Sequence, residues 1–241
     1  MNEPILLVSG GIDSYITWHY MNKPQVLFVD YGQPYINIEK KAVNKLYGLN
    51  VKEVTISGLK ELNDIYVPAR NLMMASLALR FSTNIVFGAV KDEMCRDKSP
   101  RAFRIMAKTL SEFNKRDVLV YSPIWHFTKS EAVKWYINSG HNIQDLESTV
   151  SCYSDNLCNN CESCFRRFVA LAVNGVIQAD RIPQHDIIKK FMKSLHAQPC
   201  NRDKEIALAL LNANIVKKED IHDDHIAYNG IIGRFKKKKY E

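Results

Sequence analysis

The hexapeptide from Ser9 to Ser14 has the residue types of an anion-binding turn. Gly10 and Gly11 let the backbone turn tightly and approach a ligand, and the start of a following helix favours negative charge. Ser9 and Ser14 add hydroxyl donors, whereas Asp13 suits a Mg²⁺ ion or a water molecule beside phosphates. The spacing matches neither a dinucleotide-binding fingerprint nor a Walker A loop. This phosphate loop therefore predicts a phosphate site of another type, and the alternative is an ordinary turn between a strand and a helix.

Four cysteines lie within thirteen residues, at Cys152, Cys158, Cys161 and Cys164. Four thiolates at this spacing can close a tetrahedral site around Zn²⁺, and a site without an open position favours a structural role. The spacing alone leaves an iron–sulfur cluster open as well. A disulfide is disfavoured, because the start of the chain lacks the pattern of a signal peptide and predicts a reducing, cytoplasmic location.

Apolar runs of strand length alternate with helical patterns about five times before the cysteines. The strand-like runs lie at residues 5–8, 25–29, 51–56, 85–88 and 118–121. The helical patterns lie at residues 13–21, 35–47, 69–82 and 100–114. This alternation predicts an α/β fold with a parallel five-stranded sheet and helices on both faces. Ligands of such sheets bind at the carboxyl ends of the strands, which is where the phosphate loop lies.

The pattern changes after the cysteines, where helical segments replace the alternation. These segments lie at residues 162–178, 185–196 and 203–213. We therefore predict one domain over residues 1–179, which includes the cysteine loop, and a helical C-terminal extension with a basic tail over residues 180–241.

The formal net charge of +7 is unevenly distributed along the chain. Residues 228–241 carry +4, residues 180–227 are neutral, and the first 179 residues carry +3. A basic tail beside a cysteine cluster leaves open a zinc module that binds nucleic acid through phosphates. The near-average composition excludes a fibrous or disordered chain. Because no apolar run reaches 18 residues, no membrane span is predicted.

Several motifs occur in an order that resembles one enzyme family. The phosphate loop is similar to that of the ATP pyrophosphatases. It is followed by Phe-Val-Asp-Tyr-Gly-Gln at residues 28–33, Val-Pro-Ala-Arg-Asn at residues 67–71 and Ser-Cys-Tyr at residues 151–153. Over residues 5–168 the set resembles the QueC family of 7-cyano-7-deazaguanine synthases. The resemblance implies the PP-loop fold, which is similar to that of the adenine nucleotide α-hydrolases.

The resemblance also implies an ATP-dependent ligase whose cofactors are ATP, Mg²⁺ and Zn²⁺. Such an enzyme adenylates the carboxylate of 7-carboxy-7-deazaguanine and couples it to ammonia as the amide. A second adenylation then lets the amide lose water and become the nitrile. ATP is needed because a carboxylate is a poor electrophile, and AMP provides a leaving group. A homodimer is implied as well.

The family's motifs assign roles around ATP residue by residue. The pyrophosphate would be held by Ser9, Gly10, Gly11, Asp13 and Ser14. Of these, Asp13 and Ser14 would also take part in catalysis. Asp30 and Gln33 end the second predicted strand, where the adenosine would lie, and the alternative for Asp30 is a turn residue.

Lys129 matches a lysine of the family and would be the third catalytic residue. It follows Thr128, whose spacing to Glu131 predicts a capping box at the start of a helix. A solvated surface lysine is the alternative. The residues assigned to the deazapurine acid are Arg70, Asn71 and Arg96. The residues assigned to zinc are Cys152, Cys158, Cys161 and Cys164.

The chain departs from the family at two motifs and in its length. The family's Gly-Gln-Arg-His is Gly-Gln-Pro-Tyr at residues 32–35, and the Tyr-Pro that precedes the family's Cys-Arg is missing before Cys95. About seventy residues follow the cysteine loop. These departures favour an alternative, a QueC-like enzyme of an antiviral defence operon that joins the adenylated acid to another amine, such as a protein N-terminus. The extension would then contact a protein partner.

Overall fold

Five short parallel strands form the central sheet. They are β1 (Ile5–Val8), β2 (Gln25–Asp30), β3 (Lys52–Thr55), β4 (Asn84–Phe87) and β5 (Leu119–Tyr121). The sheet order is β3-β2-β1-β4-β5, and each neighbouring pair is parallel. The predicted class and strand number are confirmed. Strand β1 is a continuous apolar run, and β4 is apolar from Ile85 to Phe87, because a central parallel strand is covered on both faces.

The computed structural model describes residues 3–57, 67–91, 96–152, 154, 158–193 and 201–217. The chain forms two compact units, Met1–Asp155 and Asn156–Glu241. The helices of the first unit are α1 (Ile12–Tyr20), α2 (Ile36–Tyr47), α3 (Arg70–Ala78), α4 (Pro100–Asn114), α5 (Lys129–Asn138) and α6 (Ile143–Glu147). Within the described ranges, no helix combines the length and the apolar character that crossing a membrane requires.

The strand order explains why helices cover both faces of the sheet. Connections between parallel strands are right-handed, so the face that a helix covers depends on the direction of the step across the sheet. The steps from β1 to β3 run one way and the later steps run the other way. Helices α1 and α2 therefore share one face, and α3 and α4 share the other. The direction reverses between β1 and β4, which is the point where such sheets bind ligands.

The core beneath α3 and α4 is formed by side chains that recur at the spacing of strands and of helices. Alternate residues of β1 and β2 face it, as do residues of α3 and α4 three or four positions apart. Its buried members include Ile5, Leu7, Leu27, Val29, Ala75, Ala78, Phe103, Met106 and Leu110. The Phe87 and Phe103 rings stack with centroids 5.5 Å apart. Each large buried side chain of this kind contributes about 1.5–3 kcal/mol.

Two of the helix starts that capping side chains fix lie near residues of the predicted site. The Thr128 hydroxyl accepts a hydrogen bond from the N–H of Glu131 at 3.1 Å, and the Glu131 carboxylate accepts one from the N–H of Thr128 at 2.7 Å. The predicted capping box is confirmed, and it fixes Lys129 at the first position of α5. Ser99 caps α4 by accepting from the N–H of Ala102 at 3.2 Å.

The second unit contains the helices α7 (Glu162–Ala172), α8 (His185–Lys193) and α9 (Asn201–Asn212). Phe165 of α7 stacks on Phe191 of α8 with ring centroids 4.3 Å apart, and Leu210 of α9 belongs to the same core. Because the apolar face of α7 packs against α8 and α9, α7 groups with them. The division falls after Asp155, whereas the sequence predicts a boundary between residues 179 and 180.

Candidate active site

A cleft lies at the carboxyl ends of β1, β2 and β4. It contains about 770 Å³ of space between the protein atoms, a volume that includes open solvent. Its walls come from the phosphate loop, the three strand ends, α2, the first turn of α3 and the 3₁₀ turn Arg96–Lys98. The predicted site residues that line it are Ser9, Gly11, Asp13, Ser14, Gln33, Arg70 and Asn71. Residues predicted from separate motifs therefore share one cavity.

The phosphate loop joins β1 to α1 through a conformation that requires glycine. Gly10 has a φ of +69°, and a Cβ at this position would lie 2.8 Å from the Cβ of Ala42. Gly10 lies behind the lining of the cleft, where its carbonyl accepts a hydrogen bond from the N–H of Val150 at 2.8 Å. Gly11 is the N-cap of α1. The first N–H groups of α1, which have no partner within the helix, are thus placed beside the cleft.

Gly88, directly after β4, is a cleft residue that the sequence motifs do not identify. A Cβ at this position would lie 2.6 Å from both the N and the Cα of Ser14. The missing side chain lets the end of β4 approach the first turn of α1. Its signal in the sequence is a glycine that follows an apolar strand, which many turns share.

Asp13 and Lys129 form an ion pair that joins the starts of α1 and α5. Their side chains are 13% and 15% exposed, respectively, and Lys129 lies outside the lining of the cleft. The pair uses Oδ2 of Asp13, whereas Oδ1 is buried and has no hydrogen-bond partner in the described part of the chain. A carboxylate oxygen beside a phosphate site is a ligand that Mg²⁺ prefers. These residues therefore fit a magnesium ion held by Asp13.

Ser14 lies on the cleft with its hydroxyl turned towards the protein. Oγ donates to the carbonyl of Gly11 at 2.9 Å and lies 3.2 Å from the Tyr47 hydroxyl. Burial raises the pKa of Tyr47 well above its usual value, so this phenol stays protonated at neutral pH. In this arrangement the Ser14 hydroxyl stabilises the turn, and its catalytic role stays a prediction.

Gln33 and Glu39 form a buried polar pair in the wall of the cleft. Gln33 accepts from the N–H of Tyr31 at 3.0 Å and donates to Oε2 of Glu39 at 2.8 Å. Burial raises the pKa of Glu39 from 4.5 to about 7, although the hydrogen bond from Gln33 and the charges of Arg70 and Lys98 oppose this shift. Sequence reasoning missed Glu39, because a glutamate in the first turn of a helix is usually a solvated charge.

Asp30 does not line the cleft. Its Oδ1 accepts from the N–H of Gly32 at 3.0 Å and closes a turn at the end of β2, which is a common use of aspartate. The predicted contact between Asp30 and adenosine finds no support in this placement.

The first turn of α3 brings two predicted substrate residues to the cleft. Arg70 donates from Nη1 to the Tyr31 hydroxyl at 3.5 Å. Asn71 is 3% exposed and donates from Nδ2 to Oδ2 of Asp97 at 2.7 Å. Ala69, directly before them, has a φ of +54°, in the left-handed region that favours glycine. The backbone is thus strained at the point where α3 enters the cleft.

Arg96 is exposed and lies outside the lining of the cleft, so its contact with the substrate stays a prediction. It begins the 3₁₀ turn Arg96–Lys98, in which each residue is rotated by about 120° from the previous one. Lys98, two residues later, lines the cleft instead. The sequence predicts a regular helix only from residue 100, so it could not show which side chain of this turn faces inward.

The four predicted zinc ligands come together around one point. Their sulfur atoms all lie within 4.8 Å of one another, and those of Cys158 and Cys164 are 4.0 Å apart. A tetrahedral zinc ion with Zn–S bonds of about 2.3 Å implies sulfur separations of about 3.8 Å. Cys161 is the N-cap of α7, and its sulfur accepts from the N–H of Cys164 at 3.4 Å. The donor set and its spacing fit a zinc ion.

The family model described as "Queuosine biosynthesis protein QueC" matches residues 48–175 of this chain. The chain belongs to the QueC family. The matched range contains the first turn of α3, Gly88, Lys98, Lys129 and the whole cysteine cluster, and the phosphate loop precedes it. The resemblance that the motifs indicate is thereby confirmed.

Curated relatives named 7-cyano-7-deazaguanine synthase are similar over most of their length. The protein of Methanococcus vannielii is 27% identical over 228 residues, which cover 73% of this chain and 96% of the relative. That of Rickettsia bellii (strain OSU 85-389) is 27% identical over 222 residues, with the same shares. Among solved structures, a predicted subunit of tRNA methyltransferase from Methanocaldococcus jannaschii has a TM-score of 0.40 and 11% identity, covering 61% of this chain and 93% of that chain. A likeness this weak bears on neither fold nor function.

Proposed function

We propose that this QueC-family protein is an ATP-dependent ligase that converts 7-carboxy-7-deazaguanine and ammonia into 7-cyano-7-deazaguanine. The observation that carries the proposal is the cleft, in which the phosphate loop, Arg70 and Asn71 line one cavity. A nucleotide and a carboxylic acid have to meet in one such cavity for adenylation. The name shared by the curated relatives supports the choice of substrate and product.

The proposed reaction has two adenylation steps. A carboxylate oxygen of the acid attacks the α-phosphorus of ATP, and pyrophosphate leaves. Ammonia then attacks the carbonyl carbon, AMP leaves with the carboxylate oxygen, and the amide forms. The amide oxygen then attacks the α-phosphorus of a second ATP, and a second pyrophosphate leaves. Loss of AMP, with the former amide oxygen, and of both amide protons produces the nitrile.

Charge stabilisation is the main task of the cleft, because both steps move negative charge onto departing pyrophosphate. The N–H groups at the start of α1 would hold phosphate oxygens. Asp13 would hold Mg²⁺ through its buried Oδ1, while Lys129 keeps Oδ2 in place. When bound, the ion supplies positive charge to the pyrophosphate. The four cysteines would hold Zn²⁺ in a closed, structural site without a step in the reaction.

An assay with purified protein, ATP, Mg²⁺, 7-carboxy-7-deazaguanine and ammonium tests this proposal. We expect AMP, pyrophosphate and a product with the mass of the nitrile. Asp13→Asn should abolish AMP release, whereas Asp117→Asn, at an exposed aspartate outside the cleft, should leave it unchanged.

Two results of this assay would contradict parts of the proposal. AMP release without the nitrile would overturn ammonia as the acceptor and would favour the alternative in which another amine, such as a protein N-terminus, receives the adenylated acid. Absence of any AMP release with the acid would overturn the substrate assignment.

A further inference from the structure

Two cationic side chains outside the phosphate loop line the cleft. Arg70 is the first residue of α3, and Lys98 ends the 3₁₀ turn Arg96–Lys98. Both are partly buried. A charge in such a position acts on a ligand through a lower effective dielectric constant than a charge on the surface does.

A partly buried hydrogen bond places these two cations on neighbouring parts of the wall. Asn71, next to Arg70, donates to Asp97, next to Lys98, at 2.7 Å. The other side of the turn is fixed by Ser99, whose hydroxyl donates to the carbonyl of Arg96 at 3.1 Å and accepts from the helix start of α4. The turn that carries Lys98 is therefore anchored on both sides, which is what a specific contact requires.

Both cations act on the same buried carboxyl group. The positive charges of Arg70 and Lys98 each lower the pKa of Glu39, so all three groups lie within electrostatic reach of one another. Burial nevertheless holds that pKa at about 7. The described residues that line the cleft away from the phosphate loop thus include two cations, Arg70 and Lys98, and one carboxyl group, that of Glu39, which is partly protonated at neutral pH. Arg70 and Lys98 therefore supply positive charge to this part of the wall.

We propose that Lys98 and Arg70 together bind the carboxylate of the acyl substrate. The inference rests on the proposed function. A carboxylate that attacks ATP is repelled by the phosphates, and two cations in the wall offset this repulsion. Arg70 supplies a planar fork that can bind both oxygens, and Lys98 supplies a point charge. The amide intermediate is neutral, so Lys98 distinguishes the first adenylation step from the second.

Steady-state kinetics with the two substrates separately test this inference. Lys98→Met should raise KM for the acid by about 10- to 100-fold, the usual effect of losing a hydrogen bond to a charged group. KM for the amide and KM for ATP should stay within about twofold of the wild type. Lys98→Arg should restore most of the affinity for the acid. Lys108→Met, at an exposed lysine of α4 outside the cleft, is the matched control and should change none of these constants.

Equilibrium binding of the acid and of the amide, measured by titration calorimetry, separates this inference from the proposed function. An equal loss of affinity for acid and amide in Lys98→Met would overturn the inference, as would a rise confined to KM for ATP. Unchanged binding of the acid by Lys98→Met would overturn it too, even if the wild type makes the nitrile. A wild-type protein that does not bind the acid would overturn both the inference and the proposed function.

Discussion

Glu39 shows how burial rather than residue type determines the behaviour of a cleft residue. Its side chain accepts a hydrogen bond from Gln33, and burial is the largest influence on its pKa. A carboxyl group with a pKa of about 7 changes charge in the range in which most enzymes work. The charge of the cleft wall therefore depends on pH near neutrality.

Glu39 should make the free energy of unfolding fall as the pH rises. Below pH 4.5 the carboxyl is protonated in both states, whereas between pH 4.5 and about 7 the unfolded chain ionises first. The stabilising contribution of Glu39 is therefore complete below pH 4.5 and is lost as the pH rises to about 7. The free energy of unfolding falls by about 3 kcal/mol at most over this range. Urea unfolding of Glu39→Gln at several pH values should lack this slope. The same slope in the wild type and in Glu39→Gln would contradict the assignment, and Glu112→Gln, at an exposed site, is the control.

Lys129 keeps a mostly buried carboxylate in place from a neighbouring helix. Lys129→Met should leave Asp13 without this counter-charge and cost about 2 kcal/mol, less than the 3–5 kcal/mol found for fully buried pairs. We also expect kcat/KM for ATP to fall by about tenfold or more, because Asp13 would lose its orientation. Lys134→Met, at an exposed lysine of the same helix, should behave like the wild type. Identical unfolding curves and kinetics for the two variants would show that the ion pair has no role.

Site residues differ in how far the sequence reveals them. Ser9, Gly11 and the cysteines belong to motifs whose spacing is short and fixed, and such motifs predict their own geometry. Glu39 and Lys98 reach the cleft through tertiary packing, which leaves no local pattern. Arg96 and Asp30 match motifs of the family but lie outside the lining of the cleft, so their predicted contacts stay predictions.

At the scale of elements, the approach of β4 to α1 depends on Gly88. Gly88→Ala should bring a Cβ against the backbone of Ser14, cost about 1–3 kcal/mol and raise KM for ATP by about tenfold, because the first turn of α1 has to move. Gly48→Ala provides a contrast, since Gly48 has open space around it but a φ of +73°. Because its ψ is −156°, a combination that is essentially restricted to glycine, the variant should cost about 1–3 kcal/mol by conformational strain alone and leave KM for ATP unchanged. Equal effects of both variants on KM would contradict this account.

The start of α3 carries strain that glycine would relieve. Ala69→Gly should raise the free energy of unfolding by about 1 kcal/mol, because glycine adopts a φ of +54° without a steric penalty. Ser76→Gly, at an exposed interior position of the same helix, should lower it by about 0.5 kcal/mol. Chemical denaturation of both variants provides the comparison. A decrease in both would show that Ala69 is not strained.

Elements are predicted from sequence better at their starts than at their ends. The strands and the capped start of α5 lie where apolar runs and the capping box indicate. The helix predicted over residues 162–178 instead ends at Ala172, because Gly175 adopts a φ of +78° and the N–H of Val176 bonds to the carbonyl of Leu171. The helix predicted over residues 69–82 ends at Ala78. Apolar residues continue past both ends, so the pattern alone overestimates the length.

At the scale of the whole molecule, the grouping of α7 with α8 and α9 has a direct test. A chain of residues 1–179 should unfold at a lower temperature than the full chain and bind a hydrophobic dye, because it exposes Phe165, Phe168 and Val169. A chain of residues 1–217 keeps that core and should melt like the full chain. Equal melting temperatures for both truncations would instead favour a boundary after residue 179. The predicted homodimer stays a prediction.

Two sets of cleft residues come from different elements of the fold, which matters for engineering. The phosphate loop and Gly88 come from β1, α1 and β4, whereas Tyr35, Arg70 and Lys98 come from the ends of other elements. Variation at these three positions can proceed without disturbing the backbone of the phosphate loop. The scaffold is thus suited to directed evolution towards new acyl substrates, while the phosphate loop and its binding of the nucleotide stay unchanged.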